Sequence, residues 1–232
     1  MILADITQDL YLNFIKEDRY MWLLDGLKTT LLITFFAAIL GIILGFIVAI
    51  IRSTHDKSGH FKILNAVCRV YLTVIRGTPT MIQVLIMNFV IFGSVSLDKV
   101  IVGSLAFGIN SGAYVAEIVR SGIMSIDPGQ TEAGRSLGLN FTQTMKLIIM
   151  PQAFKNVLPA LVNEFIVLLK ETSIIGYIGM MDLTKGAMLI QSRTYNAFLP
   201  LIAAALIYLA LVMFLTFLMN KIERRLRTSE RK

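Results

Sequence analysis

The sequence predicts an all-α integral membrane protein with about five transmembrane helices. Apolar residues make up 56% of the chain, and charged residues only 16%, against about 25% in soluble domains. The mean hydropathy is +0.71, and the apolar residues form runs of about 20 or more, the length that crosses a bilayer. No region has the composition of a separate soluble domain. The net charge of +7 therefore indicates the basic cytoplasmic loops of a membrane protein rather than nucleic-acid binding.

The first 19 residues predict a short helix that lies in the membrane interface. Apolar side chains recur at helical spacing, but acidic residues interrupt them too often for a span. A frayed terminus is the alternative interpretation. The apolar positions are Ile2, Leu3, Ile6, Leu10 and Phe14.

Five later segments predict the crossings. In the first, Gly41 and Gly45 form a stripe of small residues that lets another helix approach closely. A polar turn is expected at residues 52–62, and a short helix within residues 176–193. The second segment is broken by Gly77-Thr78-Pro79, because proline lacks the backbone donor that a helix requires. The predicted crossings are residues 21–51, 61–92, 100–123, 152–169 and 196–221.

An odd number of crossings places the two ends of the chain on opposite sides of the membrane. The larger share of Lys and Arg in the loops falls on the side of the C-terminus, so this side is predicted to be cytoplasmic and the N-terminus external. The predicted regions are an interfacial helix at 1–19, a membrane domain at 20–222 with a cytoplasmic loop at 127–151, and a basic cytoplasmic tail at 223–232.

The loop at 127–151 has an unusual density of capping and turn residues. Asp127 is expected to cap a helix that begins at Pro128, and Gly138 to end that helix in a left-handed conformation. Asn140 and Gln143 predict a second cap. We therefore expect two short capped helices with a glycine joint, and a helix boundary at Pro151.

This loop resembles the EAA loop of ABC-transporter permease subunits. The matching residues are Glu132-Ala133-Gly134, Gly138 and the segment 148–151, with Gly134 in place of the second alanine and Met150 in place of leucine. Three further segments resemble the polar amino-acid importer branch, of the histidine, glutamine and arginine permease type. They are RGTPTMIQ at 76–83, SGAYVAEIVRSGI at 111–123 and NEFIVLLKETS at 163–173.

The resemblance implies a MetI-like importer subunit in the inner membrane of a prokaryote. It implies a separate ABC ATPase subunit that binds ATP and Mg, so that this chain holds no cofactor. It also implies a second permease subunit, identical or paralogous, and an amino-acid-binding protein outside the membrane. The residues expected to dock the ATPase are Glu132, Ala133, Gly134, Arg135, Ser136, Leu137 and Gly138.

Polar residues inside the predicted spans are the candidate substrate and ion-pair positions. Glu117 needs a cationic partner at membrane depth, and Arg76 and Arg120 are the candidates; we expect a structural pair of Arg76 with Glu117. Glu164 could hold the ammonium group of an amino acid or a basic side chain, which favours a basic or polar substrate. Alternatively, Glu164 pairs with Lys170 or with a neighbouring helix. The substrate candidates are Thr78, Gln83, Asn163 and Glu164.

Other functional classes fit the sequence less well. The chain has no phosphate-binding Gly-x-x-x-x-Gly-Lys-Ser/Thr motif and no readable catalytic triad, so we predict a subunit without catalytic residues or a metal site. A membrane anchor would leave the broken helix unexplained. An ion-coupled secondary amino-acid transporter or a channel is the main alternative, with Arg76, Glu117 and Glu164 as a proton relay, but such a carrier does not need the capped loop.

Overall fold

The computed structural model describes residues 7–228, and all the secondary structure in that range is helical. The predicted all-α class is therefore confirmed. We label the α-helices in chain order. They are α1 (Tyr20–Ser58), α2 (Lys62–Gly77), α3 (Thr80–Ile86), α4 (Lys99–Met124), α5 (Pro128–Ser136), α6 (Phe141–Thr144), α7 (Met150–Glu171), α8 (Leu183–Thr194) and α9 (Phe198–Thr228).

Shorter helical turns connect several of these helices. Three of them are π-helical, at Tyr11–Ile15, Met87–Ile91 and Met145–Ile149. Two are 3₁₀-helical, at Lys16–Asp18 and Thr172–Ile178. The interfacial helix predicted at 1–19 lies partly outside the described residues, and its placement in the membrane interface stays a prediction. The last four residues of the predicted tail also lie outside the described residues.

Three described helices are long and apolar enough to cross a membrane. They span Tyr20–Asp56, Lys99–Met124 and Phe198–Lys221, and agree with the first, third and fifth predicted crossings. The pair Lys62–Gly77 and Thr80–Ile91 makes a fourth if it is counted as one bent span. The predicted fourth crossing lies in α7, which does not meet this criterion, so the count of five crossings stays a prediction.

The predicted break at residues 77–79 is present and sharp. The two helices that flank it bend by 108°. Thr78 at the break is extended, with φ −123° and ψ 147°, as expected for a residue that precedes proline. Proline thus ends α2 instead of kinking a continuous helix.

The polar turn predicted at residues 52–62 is shorter than expected. The first helix continues through Arg52 to Ser58 and ends before Gly59, whose φ is +69°. No proline or glycine interrupts residues 52–58, so the helix extends its polar end beyond the apolar run. Arg52 consequently lies on a helix and not in a loop.

The chain divides into two compact units. The first unit comprises Met1–Ala37, Thr80–Phe107 and Ile166–Leu218. One apolar core of this unit contains Leu23, Leu183, Ala187, Ile190 and Ala204.

Close packing of α1 against α8 in the first unit depends on glycine. A Cβ atom on Gly186 would overlap the backbone of Trp22, and one on Gly26 would overlap the backbone of Asp182. The predicted short helix within residues 176–193 is present as α8.

The second unit comprises Ala38–Pro79, Gly108–Phe165 and Met219–Lys232. Gly41 and Gly45 of α1 face α4 in this unit, where a Cβ on Gly41 would lie 3.1 Å from the Ser111 Cβ. The predicted close approach at the small-residue stripe is therefore present. One core of the unit contains Ala49, Val115, Val119, Ile123, Ile149, Ala153 and Val157, and another contains Val48, Cys68, Leu72, Ala113 and Ala116.

Candidate functional site

The predicted capped loop is the first candidate site, and both predicted caps are present. The Asp127 carboxylate accepts a hydrogen bond from the Gly129 N–H at 2.6 Å, and Pro128 is the first residue of α5. Asn140 and Gln143 form a reciprocal capping box, each side chain accepting the other's backbone N–H at 2.9 Å. The backbone N–H groups at both helix starts are therefore satisfied within the segment itself.

The joint between the two caps has the predicted left-handed glycine. Gly138 has a φ of +79°, and its N–H donates to the Arg135 carbonyl at 2.9 Å. The next N–H, of Leu139, donates to the Gly134 carbonyl at 3.1 Å. These bonds satisfy carbonyl groups at the end of α5 and turn the chain sharply.

Most of the predicted docking residues are exposed. Glu132, Ala133, Arg135, Ser136 and Gly138 are exposed, and Leu137 is 78% exposed. These side chains are therefore accessible to a protein partner.

Gly134 is the exception, because it is buried against α6. A Cβ there would lie 2.6 Å from Thr144 Cγ2. The glycine that replaces the second alanine of the EAA pattern therefore lets α5 pack closely on the following helix.

The boundary predicted at Pro151 is wrong. Residues 141–171 are continuously helical, passing from α6 through the π-helical turn Met145–Ile149 into α7. Pro151 is the second residue of α7. A widened turn precedes it, and helices accommodate proline where local π geometry removes the hydrogen bond that it cannot make. The second capped helix is therefore the start of a long helix, not a short one.

A second candidate site is an ionic cluster around Glu117 in the second unit. The Glu117 carboxylate accepts a hydrogen bond from Arg120 at 2.8 Å and another from Arg52 at 3.2 Å. Arg76 lies 3.7 Å from the same carboxylate. The guanidinium of Arg76 also lies 5.7 Å from the centroid of the Tyr114 ring, within range of a cation–π interaction.

This cluster joins α1, α2 and α4 through one carboxylate. The sequence predicts Arg76 and Arg120 as candidate partners of Glu117, whereas Arg52 falls in the predicted polar turn at 52–62 and is not among them. Its position seven residues after Gly45 would have placed it on the same face of an extended α1, the face that contacts α4. Arg120 extends the cluster to Asp56 at 3.3 Å.

A cavity of about 460 Å³ adjoins the cluster. Glu164 from α7 lines this cavity and accepts a hydrogen bond from the Ser111 hydroxyl at 2.8 Å. Neither Lys170 nor another cation pairs with Glu164 among the described residues. The charged and polar lining residues are Arg76, Tyr114, Glu117, Ser121, Ser125, Asn156 and Glu164.

The remaining substrate candidates lie apart from this cavity lining. Thr78 is exposed and its hydroxyl donates to the Val74 carbonyl at 2.8 Å, at the end of α2. Asn163 is exposed, whereas its neighbour Glu164 is half-buried, as expected for adjacent residues on a helix. Gln83 lies half-buried in α3 and belongs to the first unit.

A family model, curated relatives and solved structures all match this chain to membrane transport systems. The family model described as "Binding-protein-dependent transport system inner membrane component" matches residues 41–228. The chain is 39% identical to the arginine transport system permease protein ArtQ of Bacillus subtilis (strain 168), with 90% of this chain and 94% of that protein covered. It is 34% identical to the glutamine transport system permease protein GlnP of Escherichia coli (strain K12), with 88% and 93% covered.

A solved structure described as an amino acid ABC transporter with histidines is similar to this chain at 42% identity and a TM-score of 0.83. The match covers 91% of this chain and 98% of that one. An inward-facing MetNI methionine ABC transporter shares the fold, with a TM-score of 0.75 at 20% identity and coverage of 89% and 97%.

Proposed function

The chain belongs to the family of binding-protein-dependent transport system inner membrane components, and we propose that it is the permease subunit of an ATP-driven amino-acid importer. In this proposal the chain carries no catalytic group. A separate ABC ATPase binds ATP and Mg, a second permease subunit completes the pathway, and an external binding protein delivers the amino acid. The subunit lies in the cytoplasmic membrane with its C-terminus inside.

The observation that supports coupling to an ATPase is the capped corner at α5. Its polar residues and Leu137 are exposed, and its shape is maintained by hydrogen bonds within residues 127–143. A pre-formed surface loses little conformational entropy when a partner binds. We therefore propose that Glu132 to Gly138 dock the ATPase, and that movement of the ATPase is passed through this corner to the membrane helices.

Alternating access needs helices that can be rearranged without unfolding. The break at residues 77–79 separates two helical segments that are each internally hydrogen-bonded. The partners of Glu117 come from three helices, so they can be exchanged as these helices move. We propose that these two features allow the pathway to open to each side in turn.

The substrate proposal rests on the charges of the cavity that Glu164 lines. An amino acid brings an ammonium group and a carboxylate, and both require partners where water is scarce. The cavity offers the Glu164 carboxylate for a cationic group and the Arg76 guanidinium for an anionic one. The similar proteins named above are an arginine and a glutamine permease. We propose a basic or polar amino acid, with Glu164 in contact with its cationic group and Thr78, Gln83 and Asn163 as further candidates.

Purification and transport test the importer assignment. We expect an ATPase to co-purify from the native membrane. Uptake into proteoliposomes by the complete complex should depend on ATP and on the binding protein. Uptake driven by a proton or sodium gradient without ATP would instead identify an ion-coupled secondary transporter.

Replacement of Glu164 tests the substrate assignment. We expect Glu164→Gln to reduce uptake of a cationic amino acid by roughly tenfold or more, because a charge-assisted hydrogen bond is lost. Uptake of glutamine should change much less. The same change at an exposed carboxylate outside the cavity lining, Glu17→Gln, provides the matched control and should leave both activities unchanged. An equal loss of both substrates in Glu164→Gln would assign Glu164 to structure.

Cysteine labelling tests the orientation. Cys68, the chain's only cysteine, is buried, and Cys68→Ala provides the background. A membrane-impermeant maleimide should label Lys146→Cys only from the cytoplasmic side and Ser192→Cys only from outside. Both replaced residues are exposed, so failure to react would not arise from burial. Labelling of both from one side would refute the proposed topology.

A further inference from the structure

The exposed surface of α2 is divided lengthwise into two stripes. Lys62, Arg69, Thr73 and Arg76 share one face by their helical spacing and are exposed; we call them the basic stripe. Beside it lies an apolar stripe of Ile63, Val67, Val70 and Val74, which are 54% to 82% exposed. A helix with adjoining basic and apolar exposed faces is typical of the boundary between lipid headgroups and acyl chains.

The length of α2 agrees with such a position. Its 16 residues extend about 24 Å at 1.5 Å per residue, short of the roughly 30 Å of a bilayer core. The helix ends at the 108° break. Arg52, at the polar end of the apolar run of α1, lines one cavity together with Gly77, so this end of α2 lies within reach of headgroups.

A polar cavity of about 460 Å³ opens at the basic stripe. Three arginines and one carboxylate line it, together with Leu72, Thr73 and Gly77; these charged residues are Arg52, Arg69, Arg76 and Glu117. Glu117 is already shared with Arg120, which adds a further positive charge. The negative end of the α2 dipole, near Gly77, offsets only about half a charge. The cavity therefore carries an excess of positive charge.

Two of the cavity's arginines have unused hydrogen-bonding capacity. Arg69 forms no ion pair within residues 7–228. The buried Nε of Arg52 has no hydrogen-bond partner in the same range. Uncompensated cationic groups are unfavourable near a bilayer, and an anion with several oxygens would compensate them. Arginine forms paired hydrogen bonds with phosphate, so a phosphate group suits this cavity.

The apolar stripe contributes a second, open surface, which lies entirely on α2. Every residue that lines it is apolar or aromatic: Ala66, Val67, Val70, Tyr71, Val74 and Ile75. We propose that α2 binds one anionic phospholipid, with the headgroup phosphate in the basic cavity and an acyl chain along the apolar stripe.

The two stripes together favour a lipid over other occupants. A soluble phosphate would use the basic cavity and leave the apolar stripe uncovered. A second copy of this chain in a symmetric contact would bring the two basic stripes close together, and like charges repel. In the proposed orientation this part of the chain adjoins the cytoplasmic leaflet, where anionic lipids concentrate.

Lipid titration of the purified transporter complex, followed by native mass spectrometry, tests the proposal. We expect one phosphatidylglycerol per copy of this chain to remain bound under conditions that remove phosphatidylcholine. Arg69→Gln should weaken phosphatidylglycerol binding roughly tenfold, because a charge-assisted contact is lost. Arg69→Lys should give an intermediate loss, since the charge remains without the paired geometry.

Two further variants separate a built site from diffuse attraction. Lys62→Gln removes the same charge from the same helix but lies outside the cavity lining, and should change the affinity less than about twofold. Val70→Thr should weaken phosphatidylglycerol binding about threefold by the loss of one buried methyl group. Normal assembly of both variants with the ATPase shows that they fold.

Three results would overturn the proposal. An equal loss in Lys62→Gln and Arg69→Gln would mean diffuse electrostatic attraction. Displacement of the lipid by inorganic phosphate at equal concentration would mean a soluble anion site. Oxidative cross-linking of Val70→Cys to its own copy in native membranes would mean that a second subunit covers the apolar stripe.

Discussion

The two compact units satisfy their buried charges in different ways. In the first unit Asp182 is fully buried, and its carboxylate accepts hydrogen bonds from the backbone N–H groups of Thr184 and Lys185. Arg19 is also buried there and donates to the Leu12 carbonyl at 2.8 Å. In the second unit Glu117 depends on arginine side chains, one of which is 65 positions away in sequence.

This difference suggests that the two units have different roles in transport. A charge that is satisfied by backbone within a few residues stays satisfied as long as its own helix end is intact. A charge that is satisfied by side chains from three helices depends on how those helices are arranged. We therefore expect the first unit to act as a rigid frame and the second to hold the groups whose contacts change during transport.

The largest expected effect is the loss of the Glu117 carboxylate. Glu117→Gln would leave Arg52, Arg76 and Arg120 without their shared counter-charge. Removing one partner of a buried ionic network costs about 3 kcal/mol or more, and partial exposure of this one reduces the figure to roughly 2 kcal/mol. We expect a clear fall in the thermal stability of the detergent-solubilised complex and a severe loss of transport.

The matched replacement in the first unit is Asp182→Asn. Asparagine caps helices about as well as aspartate, so stability near neutral pH should fall little. Burial raises the pKa of the Asp182 carboxyl, and the hydrogen bonds to Lys185 and Thr184 oppose the rise. Because the folded pKa is raised, the contribution of the Asp182 carboxyl to the stability of the folded protein is fully present below its unfolded pKa. This contribution declines as the pH rises through its folded pKa. Asp182→Asn should remove that decline. Equal destabilisation by both replacements would refute the contrast between the units.

Features fixed by local sequence were predictable. The two helix caps, the left-handed Gly138 and the break at Pro79 depend on a few neighbouring residues, and all are present. The contacts of Glu117 and Glu164 depend on how distant helices pack. The sequence leaves a substrate, Lys170 or a neighbouring helix as partners of Glu164, and the observed partner is the Ser111 hydroxyl on the neighbouring helix α4, 53 positions away.

The misassigned features arise from helix length. Arg52 falls in a predicted loop because the apolar run ends there, although a helix continues until a residue breaks it. The helix boundary predicted at Pro151 is wrong because the π-helical turn before it is a tertiary adjustment that no short sequence pattern predicts. The number of membrane spans is also difficult to predict, because α7 mixes polar and apolar residues and contains Pro159.

A second test compares two of the left-handed glycines that end helical segments, one in each unit. Gly138 in the second unit and Gly179 in the first have φ values of +79° and +78°. Valine at either position should cost about 1–2 kcal/mol, because a β-branched residue disfavours this conformation. We expect Gly138→Val to insert in the membrane and lose its ATPase, whereas Gly179→Val should keep it. Pull-down of the ATPase with each variant is the measurement.

The control for this pair is Gly138→Asn, since asparagine tolerates the left-handed conformation. It should retain the ATPase. Stoichiometric ATPase with normal transport in Gly138→Val would mean that the joint does not position the docking residues. Loss of the ATPase in both valine variants would trace the effect to general destabilisation and not to the corner at α5.

The smallest expected effect concerns the exposed ion pair of the first unit. Glu17 contacts Arg19 at 3.0 Å, but the Glu17 side chain is 58% exposed. The hydrogen bond from Arg19, together with its charge, lowers the pKa of the Glu17 carboxyl. A lowered folded pKa means that the contribution to stability is present above the unfolded pKa and is lost as the pH falls through the folded value. Exposed pairs contribute little, so Glu17→Gln should match the parent at neutral pH in thermal unfolding and differ only in a slightly weaker acid dependence. The buried Arg19 keeps its bond to the Leu12 carbonyl in this variant. If Glu17→Gln were as destabilising as Glu117→Gln, charges of the first unit would also depend on distant side chains, and the proposed difference between the units would fail.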